Sequence, residues 1–141
     1  YLNKEKPLLA TGKNYTLQVS NAISAVGNHI TKDAGNTLGF VFYSKTVDAA
    51  YVYPNPIRLN RSNEIVFAGL PSKAEIVIYN LEMKELNRIF ENDGNGGTEW
   101  NGKDQNGDIL GSGIYLFKVI QLNADGSKTE SELKKFVVIA R

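Results

Sequence analysis

Short apolar runs that alternate with polar residues, and that end at glycine, proline or asparagine, constrain the fold of this chain most strongly. Between residues 51 and 141 such runs lie at 64–68, 74–81, 86–90, 98–100, 114–122 and 133–140. A period of two is the pattern of a β-strand with one buried face. Short strands at such regular spacing are typical of sandwiches. We therefore predict an all-β fold, a compact antiparallel β-sandwich, for this region.

Two prolines at the start of this region exclude a helix there. Pro54 and Pro56 fix their own φ angles, and each pushes the preceding residue toward extended backbone. This suits a stiff entry strand at the edge of a sheet. The apolar alternation stops just before it, so residues 45–50 are predicted to form a short linker between two domains.

The first 47 residues predict too few strands for a domain of their own. Alternating residues at 15–19 and 39–43 predict two strands, and Gly27 with Asn28 predicts a turn between them. The stretch that leads into Tyr15 resembles the penultimate strand of fibronectin-type or bacterial Ig-like domains, in which a tyrosine locks a corner. Such a sandwich takes about seven strands and 100 residues. We therefore expect residues 1–47 to be the tail of an incomplete Ig-like domain, and 48–141 to form the second domain.

The composition excludes several kinds of site and partner. The chain has 141 residues, a formal net charge of +1 and no cysteine. No general field therefore attracts nucleic acid, and no disulfide or thiolate metal site can form. No apolar run approaches the roughly 18 residues that cross a bilayer as a helix, so we expect no membrane insertion. The chain begins without methionine or a signal peptide, so we expect it to be a fragment of a longer precursor.

Candidate catalytic groups are sparse. His29 is the single histidine, so a Ser-His-Asp triad would have to use it, and it follows Asn28 in the predicted turn. The acidic residues of the second domain lie on different elements and define no carboxylate pair. They include Glu82, Glu85, Glu91 and Glu99. We therefore predict that the chain is not an enzyme and needs no cofactor.

One polar loop is a candidate for binding calcium. Asp104, Asn106 and Asp108 place oxygen-bearing side chains at alternate positions. An EF-hand loop requires glycine at its sixth position and glutamate at its twelfth, where this chain has Ile109 and Tyr115. We favour an ordinary hairpin turn, with a calcium site as the alternative.

The order of motifs in residues 48–141 resembles a known family. The motifs are Tyr53-Pro54-Asn55-Pro56, Ile78-Tyr79-Asn80, Gly113-Ile114-Tyr115 and a final basic-then-apolar strand from Lys134. They are similar to those of the C-terminal sorting domains of the type IX secretion system in Bacteroidetes-type bacteria. They also resemble the related Ig-like repeats of the flagellar hook-cap type, as does the stretch that begins Trp100-Asn101-Gly102. Met83 departs from this pattern, because family members often place a turn glycine there.

The resemblance implies recognition rather than reaction. Such a domain carries a cargo protein across the outer membrane to the cell surface or the medium, by way of the periplasm of a Gram-negative bacterium. Its partners would be outer-membrane translocon and shuttle proteins, a sortase able to cleave it, and the missing upstream part of its own precursor. The residues expected to serve recognition are Tyr53, Pro54, Asn55, Pro56, Gly113, Tyr115, Lys134, Lys135, Phe136, Val137, Val138, Ile139 and Arg141.

The last strand is the expected point of contact. Phe136 and Val138 should face one side of the sheet and Val137 and Ile139 the other, with a free edge open to β-augmentation and two lysines that steer docking. Alternatively, the strand only closes the sandwich of a structural Ig-like spacer. A further alternative is a carbohydrate-binding accessory module of a secreted surface enzyme or adhesin, which needs an exposed aromatic pair near Trp100.

Overall fold

The chain is built from β-strands, as the alternation predicted. The computed structural model describes residues 11–20, 23, 25–28, 36–59 and 65–140. In chain order the strands within these ranges are β1 (Asn14–Gln18), β2 (Thr37–Val41), β3 (Tyr51–Tyr53), β4 (Ile57–Arg58), β5 (Ile65–Ala68), β6 (Ala74–Tyr79), β7 (Glu85–Glu91), β8 (Gly97–Trp100), β9 (Gly113–Leu122), β10 (Lys128–Glu130) and β11 (Lys134–Ile139). The predicted all-β class is confirmed.

Two sheets face each other in the region after residue 50. The larger sheet has the order β4-β11-β9-β6-β7, and β10 pairs with the far end of β9. The smaller sheet has the order β3-β5-β8. Neighbouring strands are antiparallel, except that β11 runs parallel to β4. The predicted antiparallel sandwich is therefore confirmed, with one parallel pair at its edge.

Aromatic rings from both sheets fill the space between them. Phe67 of β5 lies 5.1 Å from Phe117 of β9 and 6.2 Å from Phe136 of β11, measured between ring centroids. All three side chains are at most 2% exposed. Full burial of a phenylalanine stabilises a fold by roughly 2–3 kcal/mol, and truncation to alanine adds a cavity cost. This cluster is therefore the centre of the core.

The predicted linker at residues 45–50 is instead packed into the core. The segment forms a single turn of 3-10 helix, Val47–Ala49. Val47 and Ala50 are only 2% and 3% exposed and belong to the main apolar cluster. Apolar residues two or three apart gave no periodic signal in so short a segment, so the sequence indicated a loop. Whether a domain boundary lies near residue 47 stays a prediction.

The segment after β5 carries the chain from one sheet to the other. Strands β5 and β6 follow each other in the sequence, but β5 pairs with β3 and β8, whereas β6 pairs with β7 and β9. Leu70 is fully buried in the crossing, and its N–H donates to the carbonyl of Gly96 at 3.0 Å. Gly69 has a φ of 69°, and a Cβ there would lie 2.4 Å from the carbonyl oxygen of Ala49. Glycine is therefore required at this crossing.

Strands β1 and β2 form a hairpin of their own. They pair antiparallel from Asn14 opposite Val41 to Gln18 opposite Thr37, close to the two predicted strands. The ring of Tyr15 stacks on that of Phe40, with centroids 5.7 Å apart. The turn predicted at Gly27 is present, with a φ of 85°. His29 lies outside the described residues, and the interpretation of residues 1–47 as the tail of another domain stays a prediction.

Met83 occupies the position where the resemblance led us to expect glycine. It has a φ of 63°, and it is the one non-glycine residue with positive φ among those the structure describes. Its N–H donates to the carbonyl of Asn80 at 3.1 Å and closes the turn between β6 and β7. A side chain in this left-handed region costs roughly 1–2 kcal/mol.

Met83→Gly should raise the free energy of unfolding by roughly 0.5–1 kcal/mol. The relief of left-handed strain exceeds the entropy that glycine loses on folding, and the Met83 side chain is half exposed, so little packing is lost. Urea titration followed by the fluorescence of Trp100 measures the change. Met83→Ala keeps the Cβ and should give no gain, so equal stabilisation by both variants would contradict the strain.

Candidate recognition site around the final strand

The Tyr53-Pro54-Asn55-Pro56 motif is anchored to the last strand. The side-chain Oδ1 of Asn55 accepts a hydrogen bond from the N–H of Val137 at 3.1 Å. Immediately after the motif, β4 pairs Ile57 with Val138 and Arg58 with Ile139. The motif therefore has a structural partner inside its own domain.

The last strand alternates as predicted. Phe136 and Val138 are 0% and 1% exposed and point into the core. Val137 and Ile139 lie on the opposite face and are half-buried. Phe136 and Val138, which the sequence included among the recognition residues, are therefore inaccessible in the folded domain. Arg141 lies outside the described residues.

The free edge expected on the last strand is not present at its far end. On one side β11 pairs with β9, and on the other it pairs with β4 at Val138 and Ile139. The N–H of Leu59 also donates to the carbonyl of Ile139 at 3.1 Å. The expectation was wrong here because a two-residue strand such as β4 leaves no alternation in the sequence. A strand added at this edge would have to displace β4.

The two lysines of the last strand have different environments. The Nζ of Lys134 donates to the backbone carbonyls of Asp48 and Ala50, the second at 2.8 Å. Lys135 is exposed. We predicted that both lysines steer a partner, but the ammonium group of Lys134 is engaged within the domain. Lys135 is the one that remains accessible.

The Gly113-Ile114-Tyr115 motif also packs within the domain. The ring of Tyr115 stacks on that of Phe136 with centroids 5.7 Å apart, and its hydroxyl donates to the carbonyl of Gly111 at 3.0 Å. Burial raises the pKa of Tyr115 above its ordinary value. Gly113 pairs with Val138. The motif thus fixes the register of β9 against the last strand.

An exposed surface remains on the outer face of the larger sheet. Strand register places Ile114 opposite Val137, and Arg58 opposite Ile139, on this face. We call Arg58, Ile114, Lys135, Val137 and Ile139 the outer-face patch. Ile114 is 50% exposed and Lys135 and Arg58 are exposed, so apolar and basic groups lie side by side. Ile114 and Arg58 were not among the residues predicted to serve recognition. The position of Ile114 in the strand, an odd number of residues from buried Phe117, nevertheless indicated an outward side chain.

The candidate calcium loop forms a hydrogen-bonded turn. The Oδ1 of Asp104 accepts the backbone N–H groups of Asn106 at 2.8 Å and Asp108 at 3.0 Å. Desolvation by itself would raise the pKa of Asp104, but the N–H donors of Asp108 and Asn106 outweigh it and lower that pKa. Within the described residues no group of three or more His, Cys, Asp or Glu side chains is arranged to hold a metal ion. The Asp104 carboxylate is thus used to close the turn.

Trp100 is a core residue. It is 6% exposed, its ring centroid lies 5.9 Å from that of Phe136, and its Nε1 donates to the carbonyl of Lys103 at 3.1 Å. Both the face and the polar atom of the indole therefore have partners within the domain. The exposed aromatic pair near Trp100 that a carbohydrate-binding module needs does not include Trp100 itself.

Among the residues that the structure describes, no helix is long and apolar enough to cross a membrane.

Two solved structures share this architecture. PorZ of Porphyromonas gingivalis, an essential bacterial surface component of the type IX secretion system, is similar over 64% of this chain, with 27% identity and a TM-score of 0.50. Dimeric latent PorU from the same organism is similar over 75% of this chain, with 22% identity and a TM-score of 0.52. The similarity to PorU, at that identity, shows a shared fold. No protein-family model and no curated protein matches the chain.

This chain corresponds to a small part of both proteins. It spans 11% of the PorZ chain and 11% of the PorU chain. A third similarity, to FlgD of P. aeruginosa, covers 62% of this chain and 70% of that one at 22% identity, and its TM-score of 0.42 is too low to establish a shared fold. The chain is therefore similar, in fold and in sequence, to a portion of a type IX secretion component.

Lys134→Ala should lower the free energy of unfolding by roughly 1–3 kcal/mol. The substitution leaves the carbonyls of Asp48 and Ala50 without the charged donor that ties them to the last strand. Lys135→Ala removes the same group from the next residue, where it is exposed, and should change stability by less than about 0.5 kcal/mol. Parallel urea titrations measure both, and equal effects would contradict a structural role for Lys134.

Proposed function

We propose that residues 48–141 are a non-catalytic sorting domain that directs a cargo protein across the outer membrane by the type IX secretion system. The observation that carries this proposal is the similarity to PorZ, a surface component of that system, at 27% identity over 64% of this chain. The four motifs of the sorting-domain family support it independently. Translocon and shuttle proteins are its proposed partners, a sortase is a further one, and the secreted fraction or the cell surface is its proposed location.

In this proposal the machinery reads a folded surface rather than a loose strand. Phe136 and Val138 are buried, and the far end of β11 is paired on both sides, so the strand's core face is not available without unfolding. The outer-face patch offers half-exposed Ile114 beside Val137, with Lys135 on the same strand as Val137 and Arg58 on the strand beyond it. An apolar centre with a charged rim is a common arrangement in protein interfaces. A partner that fits it would carry an apolar surface bordered by acidic groups.

A second function, a passive Ig-like spacer in a surface protein, is favoured by one observation. The motifs that resemble the sorting family all make contacts inside the domain, since Ile78 is also buried in the core and the Oδ1 of Asn80 accepts the N–H of Lys84 at 2.8 Å. The last strand is paired with β4. These contacts stabilise the sandwich whether or not anything recognises it. The two functions therefore differ in the outer-face patch, which a spacer does not use.

An export assay with point variants separates these functions. The chain of residues 1–141 is fused behind a periplasmic reporter in a bacterium with type IX secretion, and reporter in the medium or on the surface is compared with reporter in the periplasm. The sorting function predicts export of the wild-type fusion. A folded fusion that stays in the periplasm would contradict it and would support the spacer.

Ile114→Glu in the same fusion should reduce export at least tenfold, because it places a carboxylate beside Val137 in the apolar part of the patch. Leu122→Glu is the matched control, since Leu122 lies on the same face of β9 at its other end and is 61% exposed, close to the 50% of Ile114. The control should be exported like the wild type. Trp100 fluorescence verifies that both variants fold, and equal export of the two would contradict recognition through the patch.

A further inference from the structure

The loop between β7 and β8 receives the β1–β2 hairpin. The N–H of Gly12, at the start of the hairpin, donates to the carbonyl of Asn95 at 2.7 Å. A Cβ on Gly97 would lie 2.4 Å from the Cα of Gly12, and one on Gly96 would lie 2.6 Å from the Cα of Tyr43. The two backbones therefore touch where the chain enters the hairpin and where it leaves it. We call residues 91–97 the hairpin seat.

A buried carboxyl group lies at the base of the hairpin seat. Glu91 is 1% exposed, and its Oε1 accepts a long hydrogen bond, 3.3 Å, from the N–H of Gly96. Its Oε2 is buried without a hydrogen-bond partner. A buried oxygen of this kind costs roughly 1–3 kcal/mol, and more when it is charged. The hairpin seat therefore contains a buried oxygen, Oε2 of Glu91, that lacks a hydrogen-bond donor when Glu91 is ionised.

A second carboxyl group adjoins the first. Asp93, two residues along the same loop, lies close enough to Glu91 to raise the pKa of the Glu91 carboxyl group. Its Oδ1 and Oδ2 accept hydrogen bonds from the backbone N–H and the side-chain Nδ2 of Asn95, at 3.0 and 2.9 Å. Asp93 thus shapes the same turn whose Asn95 carbonyl holds Gly12. Two carboxylates this close repel each other unless they share a proton.

The charges around Glu91 do not neutralise it. Lys73 and Glu75 line the same surface cavity as Glu91, and Lys13 and Glu99 line the neighbouring groove beside Asp93. Glu75 is engaged with Arg88 at 2.6 Å. None of the salt bridges formed within the described residues includes Glu91. Protonation of Glu91 itself is therefore the simplest way to neutralise its charge.

Burial raises the pKa of Glu91 above its ordinary value of 4.5, the N–H of Gly96 opposes this, and Asp93 raises the pKa further. In a released loop the carboxyl group regains water and its ordinary pKa. The seated state therefore binds the proton more tightly than the released state. Its extra stability is fully present below the ordinary pKa and is lost as the pH rises through the raised one.

We propose that protonation of Glu91 controls how firmly the hairpin seat holds the β1–β2 hairpin. When Glu91 is neutral, its Oε2–H donates to Asp93, and the loop keeps the carbonyl of Asn95 directed at Gly12. When Glu91 is ionised, an unpaired oxygen is buried beside a second carboxylate, and the loop opens more often. The pH therefore sets how rigidly strands β1 and β2 are attached to the sandwich. This inference does not depend on the proposed function.

Hydrogen exchange at the Gly12 amide tests the proposal. The exchange rate of the full chain is measured from pH 4 to 8 and corrected for the intrinsic rate of a free amide at each pH. The opening equilibrium of Gly12 should rise with pH by tenfold for each unit by which the seat raises the pKa of Glu91. The amide of Met83, which is bonded to the carbonyl of Asn80 in the turn between β6 and β7, can open locally without releasing Glu91 and should show no such rise.

Glu91→Gln should abolish this rise, because the amide keeps an acceptor for Gly96, gains a donor for Asp93 and cannot ionise. Glu99→Gln, beside the neighbouring groove, removes an exposed carboxylate and should behave as the wild type does. A pH-independent opening equilibrium in the wild type, or an unchanged rise in Glu91→Gln, would overturn the proposal.

Asp93→Asn provides a second route if Glu91→Gln does not fold. Removing the charge of Asp93 should make opening at Gly12 less frequent at high pH. The pKa of Glu91 in the seated state should then lie closer to that of an ordinary glutamate. An opening profile identical to that of the wild type would also overturn the proposal.

Discussion

The fold depends on the position of the last strand between two others. Strand β11 pairs with β9 along most of its length and with β4 at its end, and Phe136 carries it into the aromatic cluster. The first residues of the second region reach the same strand, through Asn55 and through the carbonyls that Lys134 binds. The two ends of the sandwich are thus joined to each other. The last strand is therefore held on one side by β4, near the start of the region, and on the other by β9.

This closure gives the family motifs a physical reason. Asn55 is needed to accept the N–H of Val137, and Tyr115 is needed to cover Phe136. A resemblance in these residues is therefore a resemblance in how the sandwich closes. Recognition in secretion would require further side chains that remain exposed on the folded domain. Ile114 and Lys135 on the outer face are such side chains. The proposal for function accordingly rests on the similarity to PorZ and on this surface, rather than on the motifs alone.

Local patterns predicted much of the fold. The alternation in β11 identified which of its side chains face the core, and the turn at Met83 was identified by the residue type that the family places there. What could not be predicted depends on contacts between distant residues. Strand β4 is two residues long, and Lys134 meets Asp48 across 86 positions of the chain. The burial of Glu91 is of the same kind, since its sequence context is that of a polar, glycine-rich loop.

Hydrogen exchange along the last strand is the most direct test of this account. The amides of residues 134–139 should exchange only when the whole sandwich unfolds, so their opening free energies should match that of core amides such as Val119 and follow urea with the global slope. Exchange of Val137 and Ile139 at a much lower opening free energy, independent of urea, would show that the strand detaches while the rest stays folded. That result would contradict a closed final strand and would restore the free edge as the surface available to a partner.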